Sequence, residues 1–526
     1  MTRIAVLSDP HLHDVHAGTN DDTPLVRSFA DSMASTRVFN ESGPAFRAAL
    51  DAVVAEGITL CIIVGDLTDD GQPASWQAVS DLLADYNRRH GVRFFATPGN
   101  HDQWSMTGKP LAKSFVDADG HVEALAGQSI PRRAGARVWP GQRMVGYDEA
   151  TLYAGAFGYR PQPSDLHWET PFGTTPDLAD REARFSSARG DSAFVCDLSY
   201  LVEPVEGLWL LSLDANVYLP DGAGGYTDCS KEGWNATVRH KPYLLDWMRD
   251  VAQRARKLGK RLVTFSHYPV ADVFHGCTEA LARLPSSRAG ARQMPRSDVA
   301  AAIAGTGIPL HFSGHWHVDS TASSPGGEVV NVAVPSTVAF PAGWKCLTLD
   351  ADGARISDRA VTDAPGFDAW FGRYAAEAER TGREAPALTA ADYPDFLDLH
   401  FRDVVLNRRL SEDWPKRMQP MVQTARLSDV IARLGHADVQ VPDIAFADVF
   451  VDWYRLREAG GGAVAVPPER RALYADLART CASPAPVSGP DAAILAVFFE
   501  TLGILTTGNA LARAALDRLR SVAETC

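Results

Sequence analysis

Five short runs hold the residues of this chain that could do metal chemistry. They are Asp9-Pro10-His11, Gly65-Asp66, Gly99-Asn100-His101-Asp102, Ser266-His267 and Gly314-His315-Trp316-His317. Carboxylates, imidazoles and an amide oxygen are borderline-to-hard ligands, suited to Mn, Fe, Zn, Ni or Co. The runs carry no thiolate, which argues against a structural zinc site. Asp9, His11, Asp66, Asn100, His267, His315 and His317 are too many for one ion that must also keep positions open. Two ions ~3.5–4 Å apart, sharing a bridging carboxylate, account for them better. Such a pair lowers the pKa of a bridging water to yield hydroxide, and it clamps both oxygens of an in-line displacement at phosphorus. The chemistry implied is hydrolysis of a phosphate ester.

Each run follows an apolar stretch that reads as a strand: 4–7, 60–64, 92–96, 261–265 and 309–312. Helical spacing at 45–56 and 74–89 separates the first three, so strands and helices alternate and parallel pairing is expected. Ligands in such sheets bind beyond the carboxyl ends of the strands, where five loops can converge on one crevice. Further strands are read at 208–213, 328–333, 344–349 and 354–361, the last two joined by the turn at Asp350-Ala351-Asp352-Gly353.

From Asp102 to about Glu206 the rhythm breaks. The segment is rich in Gly, Pro and aromatics and reads as an insertion (103–206) lying over the site as a lid. Beyond Asp363 the pattern turns helical, with helices expected near 427–434, 444–457, 469–479, 491–505 and 509–523. The division is therefore a catalytic domain, residues 1–362, and an all-helical accessory domain, residues 363–526, for packing or homo-oligomer formation.

A chain of 526 residues exceeds one ordinary core. Its 45% hydrophobic and 22% charged content is that of a globular protein. A net charge of -14 disfavours a nucleic-acid polymer as partner, since phosphate backbones need a basic face. No run approaches bilayer-spanning length, and the first residues read as a strand, not a signal peptide. Seven scattered cysteines without a CxxC pair suggest free thiols in a reducing cytoplasm.

The ordered set DPH, GD, GNHD, SH and GHWH resembles the calcineurin-like metallophosphoesterases over roughly residues 1–361, the insertion excepted. The resemblance implies an α/β fold, a double β-sandwich flanked by helices. By position, Asp9, His11 and His317 would hold one metal, Asn100, His267 and His315 the other, with Asp66 bridging. His101 would touch the phosphate and protonate the leaving oxygen, and Asp102 would orient it. Pro10 departs from the family pattern but leaves both flanking ligands intact. The helical tail from Phe367 looks similar to bacterial class III cyclic-nucleotide phosphodiesterase-like proteins, which implies a small phosphodiester substrate. A phosphomonoesterase, a protein phosphatase and a non-catalytic scaffold are the alternatives. Among the remaining candidates, His13 and His311 read as structural and His16 and His275 as pocket-lining at best. Asp69 and Asp70 read as turn residues or supports, Asn216 as a loop brace. Trp104, His167 and Trp168 read as filling the insertion's own core, with stacking on a base or an aromatic ester as the alternative.

Overall fold

The computed structural model describes residues 1–17, 24–129, 135–187, 189–284, 292–351, 353–459, 465–481, 489–507, 514, 515 and 517. Two sheets carry the site. The first runs in the order β12-β11-β1-β2-β3, with β1 (Thr2–Leu7), β2 (Leu60–Ile63) and β3 (Arg93–Ala96) parallel. β11 (Gly343–Asp350) and β12 (Gly353–Ala360) form the expected antiparallel hairpin beside β1. The second sheet runs β9-β10-β8-β7-β6-β5-β4. Its parallel centre is β6 (Leu208–Leu213), β7 (Arg261–Ser266), β8 (Leu310–Ser313) and β10 (Val330–Ala333). β4 (His167–Glu169), β5 (Tyr200–Val205) and β9 (Ser320–Ser323) pair antiparallel at its edges.

Val6, Ile62 and Phe95 share one core with Leu210, Phe265, Phe312 and Val332, so the sheets bury a common face. β6 shows the period of two that this requires. Leu208 and Leu210 enter that core, while Trp209, Leu211 and Leu213 pack on Met248, Val251 and Ala255 of the helix Pro242–Leu258. Helices Ser42–Ala55 and Pro73–His90 cover the first sheet through Phe46, Leu50, Trp76 and Leu83. The double sandwich is as expected. Registers such as Leu7↔Ile63 and Ile63↔Ala96 bring the strand ends level, which sets the following loops side by side.

The insertion is smaller than the sequence suggested. β4 and β5 belong to the second sheet, so the chain leaves the core twice, at 103–166 and 170–199. Pro204 breaks the apolar run of β5, and the register shifts between Val202 and Val205. That bulge hides a sheet strand from a reading of alternation. Hairpins Ala112–Val116/Val122–Ala126 and Glu182–Ser186/Ser192–Cys196 lie within the two excursions.

The helical region begins where the strands end, but it does not stand apart. Ala364, Tyr393, Phe396 and Leu397 join the sandwich core. Helices Phe446–Ala459, Pro468–Cys481 and Pro490–Thr507 build a second core around Trp453, Phe450 and Phe498, which also takes Val273, Phe274 and Val318. Pro490–Thr507 has the length and hydropathy to cross a bilayer, contrary to the sequence reading. Its Phe498, Phe499, Leu502 and Leu505 are buried against the neighbouring helices, as in the core helix of a bundle. The helix expected at 509–523 falls almost wholly outside the described residues.

The helix Phe371–Thr381 grips the N-terminal region. Buried Glu377 accepts the backbone N–H groups of Phe29 (2.7 Å) and Ala30 (2.9 Å) at the start of the short helix Phe29–Met33. Glu377→Ala removes the acceptor of both donors, leaves that of buried Phe29 unmatched and should destabilise the protein by about 1–3 kcal/mol. Thermal denaturation followed by circular dichroism checks this, with Glu377→Gln expected to lose less.

Candidate metal centre

The loops after β1, β2 and β8 turn back sharply on themselves. Asp9 (φ 48°), His11 (43°), Asp66 (50°), His315 (71°) and His317 (58°) all sit in the left-handed region. Non-glycine residues rarely adopt it, at an expense of order 1–3 kcal/mol each, and such strain gathers at functional sites. Backbone bonds lock the turns: the N–H of His11 donates to Asp66 O (2.9 Å) and that of Gly314 to His267 O (3.0 Å). Two glycines of the motifs permit the approach. A Cβ on Gly99 would lie 2.1 Å from Asp66 Oδ1, and one on Gly314 2.1 Å from Ser8 Oγ.

The side chains converge in two groups. In the first, His317 Nε2 lies 3.4 Å from Asp9 Oδ1 and 3.2 Å from His11 Nε2. In the second, His267 Nε2 lies 3.2 Å from Asp66 Oδ2, 3.1 Å from Asn100 Oδ1 and 3.2 Å from His315 Nδ1. Asp66 Oδ2 also lies 3.6 Å from His11 Nε2, so one carboxylate faces both groups. All seven predicted ligands are thus brought together.

The residues fit a pair of metal ions. The Nε2 atoms of His11 and His317 face one another and the carboxylates of Asp9 and Asp66, and the Nδ1 atoms of both rings are buried with no hydrogen-bond partner. His267 Nδ1 lies 3.0 Å from Val64 O, a bond that turns Nε2 inward as a ligand atom. Burial, then Arg37, pushes the His11 imidazole far down; burial, then His267, does the same to His315. Both are therefore neutral, the form that binds metal. Burial opposes ionisation of Asp66, yet His267 and His101 hold its carboxyl well below the usual range. Burial likewise opposes charge on His267, but Asp66 prevails and raises it to about 9.

His101 borders this cluster, its backbone N–H donating to Asp66 Oδ1 at 2.7 Å. The expected partner of its ring is corrected by the structure. Asp102 is turned away from the imidazole and accepts the N–H groups of Gly99 (2.9 Å) and Thr68 (3.1 Å). Burial, then Asp66, pushes its carboxyl up to about 7. Asp102 therefore fixes the loop, because the backbone donors of the turn claim both its oxygens. Asp70 takes the orienting place, with Oδ1 2.5 Å from His101 Nδ1. Its second oxygen meets Lys113, from the first excursion. Asp70 was legible as a support; nothing in the pattern of the insertion marks Lys113.

Other candidates fall as the chemistry of their neighbours dictates. His13 is tied to Leu25 O (2.7 Å), and His311 to Ser266 Oγ and Asn331 Oδ1, both structural. His16 is exposed beside Trp370, and His275 is buried with neither ring nitrogen hydrogen-bonded. Asn216 braces the GNHD loop through Gly99 O (3.2 Å). Trp168 donates to Gly158 O, His167 stacks on Trp209, and Trp104 lies under the Lys109 ammonium. Gln293 was not foreseen: its Oε1 lies 3.2 Å from His315 Nε2. A third cluster, Asp117, Asp119 and His121, is exposed on a hairpin turn.

Residues 2–150 match the model of the calcineurin-like phosphoesterase family. The metallophosphoesterase segment so matched carries Asp9, His11, Asp66, Asn100, His101 and Asp102, and it marks a metal-dependent phosphoesterase. No curated protein matches the sequence. Among solved structures the chain is similar to a dimetal phosphatase from Danio rerio, at 12% identity over 68% of this chain and 96% of that one, with a TM-score of 0.31. It is also similar to GAP50, the anchor in the inner membrane complex of Plasmodium (11% identity, 69% and 85% coverage, TM-score 0.32). A third is the Thermus thermophilus sulfate thiohydrolase SoxB (13% identity, 73% and 62% coverage, TM-score 0.29).

A metal must displace the proton that Asp66 keeps on His267. Metal affinity should therefore rise with pH up to about 9 and flatten above it. Calorimetric titrations in buffers of different ionisation enthalpy should show proton release at pH 7. His317→Ala should remove one of two ions per chain in elemental analysis.

Proposed function

We propose that the chain is a dinuclear-metal phosphohydrolase acting on a small phosphodiester. The observation that carries the reading is Asp66, whose Oδ2 faces His11 at 3.6 Å and His267 at 3.2 Å with His101 alongside. A carboxylate so shared suits a pair of ions, which would supply an acidic water and neutralise the phosphate oxygens. The chain's own residues provide the rest. Asp9 and Asp66 balance the charge of the ions, and His267 is aimed by Val64 O. With Nδ1 held by Asp70, His101 presents Nε2 to the ester; burial, then Arg37, disfavours its charged form, so the proton for the departing oxygen would be one that the ring takes up from solvent before the bond breaks.

Local charge favours a diester over a monoester. The cations nearest His101 are already matched: Arg37 to Asp69, Arg27 to Asp69 and Asp31, and Lys113 to Asp70. A site with its cations so committed suits one substrate charge better than two. Cyclic nucleotides are the first such diesters to test, and a phosphomonoesterase or protein phosphatase remains the rival. The free cysteines, five of the six described ones buried, support a reducing, cytoplasmic setting.

With Mn²⁺ supplied, bis-p-nitrophenyl phosphate should be hydrolysed faster than p-nitrophenyl phosphate; the reverse order returns the monoesterase. His101→Ala should lower kcat by about 10²–10⁴ with metal content retained. Asp66→Asn should lose both metal and activity, and unchanged turnover in either metal-loaded variant would sink the catalytic reading.

A further inference from the structure

We infer that Lys113, carried by the first excursion, is a positioning residue for His101, acting through Asp70. The inference rests on the phosphohydrolase reading above and adds to it a role for the insertion.

The Asp70 carboxylate is gripped at both ends. One oxygen lies 2.5 Å from His101 Nδ1, and the other meets the Lys113 ammonium, which also stands 3.9 Å from Asp69 Oδ2. A carboxylate with one partner can rotate about its last bond; one held by two opposed partners cannot. Lys113 is 14% exposed at its side chain; burial pushes its ammonium down to about 7, with Asp69 acting the other way, and the contact with Asp70 holds the group in place. Ion pairs taken out of water add little net stability but fix geometry.

What holds Lys113 is equally built. Its strand, Ala112–Val116, bonds to the segment before the helix Phe29–Met33: Val116 N–H donates to Val26 O (2.8 Å) and Ser28 N–H to Ser114 O (3.0 Å). That segment sends Arg27 to Asp69 (2.7 Å). Arg373 of the helix Phe371–Thr381 donates to Val116 O (3.0 Å), and Glu377 anchors Phe29 and Ala30. The helical region thus braces the strand that steadies the histidine.

In the reaction, water bonds to phosphorus, the bond to the leaving oxygen breaks, and that oxygen takes the Nε2 proton of His101. The water's proton passes to solvent and His101 is recharged from it. Orientation of the ring matters most when the leaving oxygen is basic, because such groups need the proton early.

The test is a series of aryl phosphodiesters with leaving phenols from p-nitrophenol to p-methoxyphenol, on metal-loaded protein. In Lys113→Met the ratio of kcat for the first to kcat for the last should rise about tenfold. Asp70→Asn should raise it at least as far, the double variant no further, and Lys113→Arg should restore it. A general packing defect lowers all members together and leaves the ratio unmoved, which overturns the inference. A second readout needs no turnover. In ¹⁵N-histidine spectra the Nδ1–H signal of His101, identified by its loss in His101→Gln, should broaden by water exchange in Lys113→Met; an unchanged signal also overturns the inference. If the wild type hydrolyses no ester, the phosphohydrolase reading fails, while the spectra still decide the positioning role.

Discussion

Everything in this fold answers to one electrostatic constraint, a buried carboxylate that must face two clusters of imidazoles. Asp66 leaves β2 at the end of a run of four buried residues, Leu60 to Ile63, with almost no access to water. A lone charge there would be untenable. Its environment supplies His11, His267 and the N–H of His101, and the same geometry suits cations more strongly still. The two sheets exist, for the site's purposes, to bring five strand ends to that carboxylate. Shared packing between Val6, Ile62, Phe265 and Phe312 makes the positions of those ends rigid.

Local strain follows from the same constraint. Five candidate ligands adopt left-handed backbone conformations, and Asp9, His11, Asp66 and His315 are tied by backbone hydrogen bonds to a neighbouring loop. Gly99 and Gly314 are the complementary concession, places where a side chain would strike the carboxylate or its serine neighbour. Such tight turns move donor atoms from the edge of a sheet into a single volume. A relaxed loop of ordinary side chains would leave them dispersed, and the energy lost locally is offset by the sandwich core.

Much of this was legible because the chemistry and the strands share a rhythm. Apolar runs ending in Asp9, Asp66, Asn100, His267 and His315 announce both the parallel strands and what lies beyond them. Asp102 was misread because adjacency in sequence suggested adjacency in space. In the tight GNHD turn its oxygens are captured by Gly99 and Thr68 N–H groups before they can reach a ring one residue away. β5 was missed because Pro204 and a bulge interrupt its pattern. Lys113 carries no local signal at all, since its meaning depends on a hairpin docking across the chain. Long-range pairing of this kind is what periodicity cannot encode.

The same argument dissolves the boundary between catalytic and accessory parts. A cut near residue 362 separates strands from helices, yet Tyr393 and Phe396 sit in the sandwich core and Tyr374 stacks on Phe29 at 5.3 Å. Asn40 and Glu41, at the entrance to the helix Ser42–Ala55, both bond the Tyr374 hydroxyl. From there the path to the site is short: Asn40 accepts the N–H of Arg27 and Arg27 pairs with Asp69. Asp69 in turn holds Arg37, whose guanidinium stands 3.4 Å from His101 Nδ1. Arg27 and Arg37 of the N-terminal loop and Lys113 of the insertion meet two aspartates on one turn, and the helical region braces both segments through Tyr374, Arg373 and Glu377. Removing Arg27, Arg37 or Lys113 would leave buried carboxylate charge less well matched beside the histidine. The helices are therefore part of the same cooperative structure as the candidate metal ligands, although among the described residues none of theirs reaches that cluster.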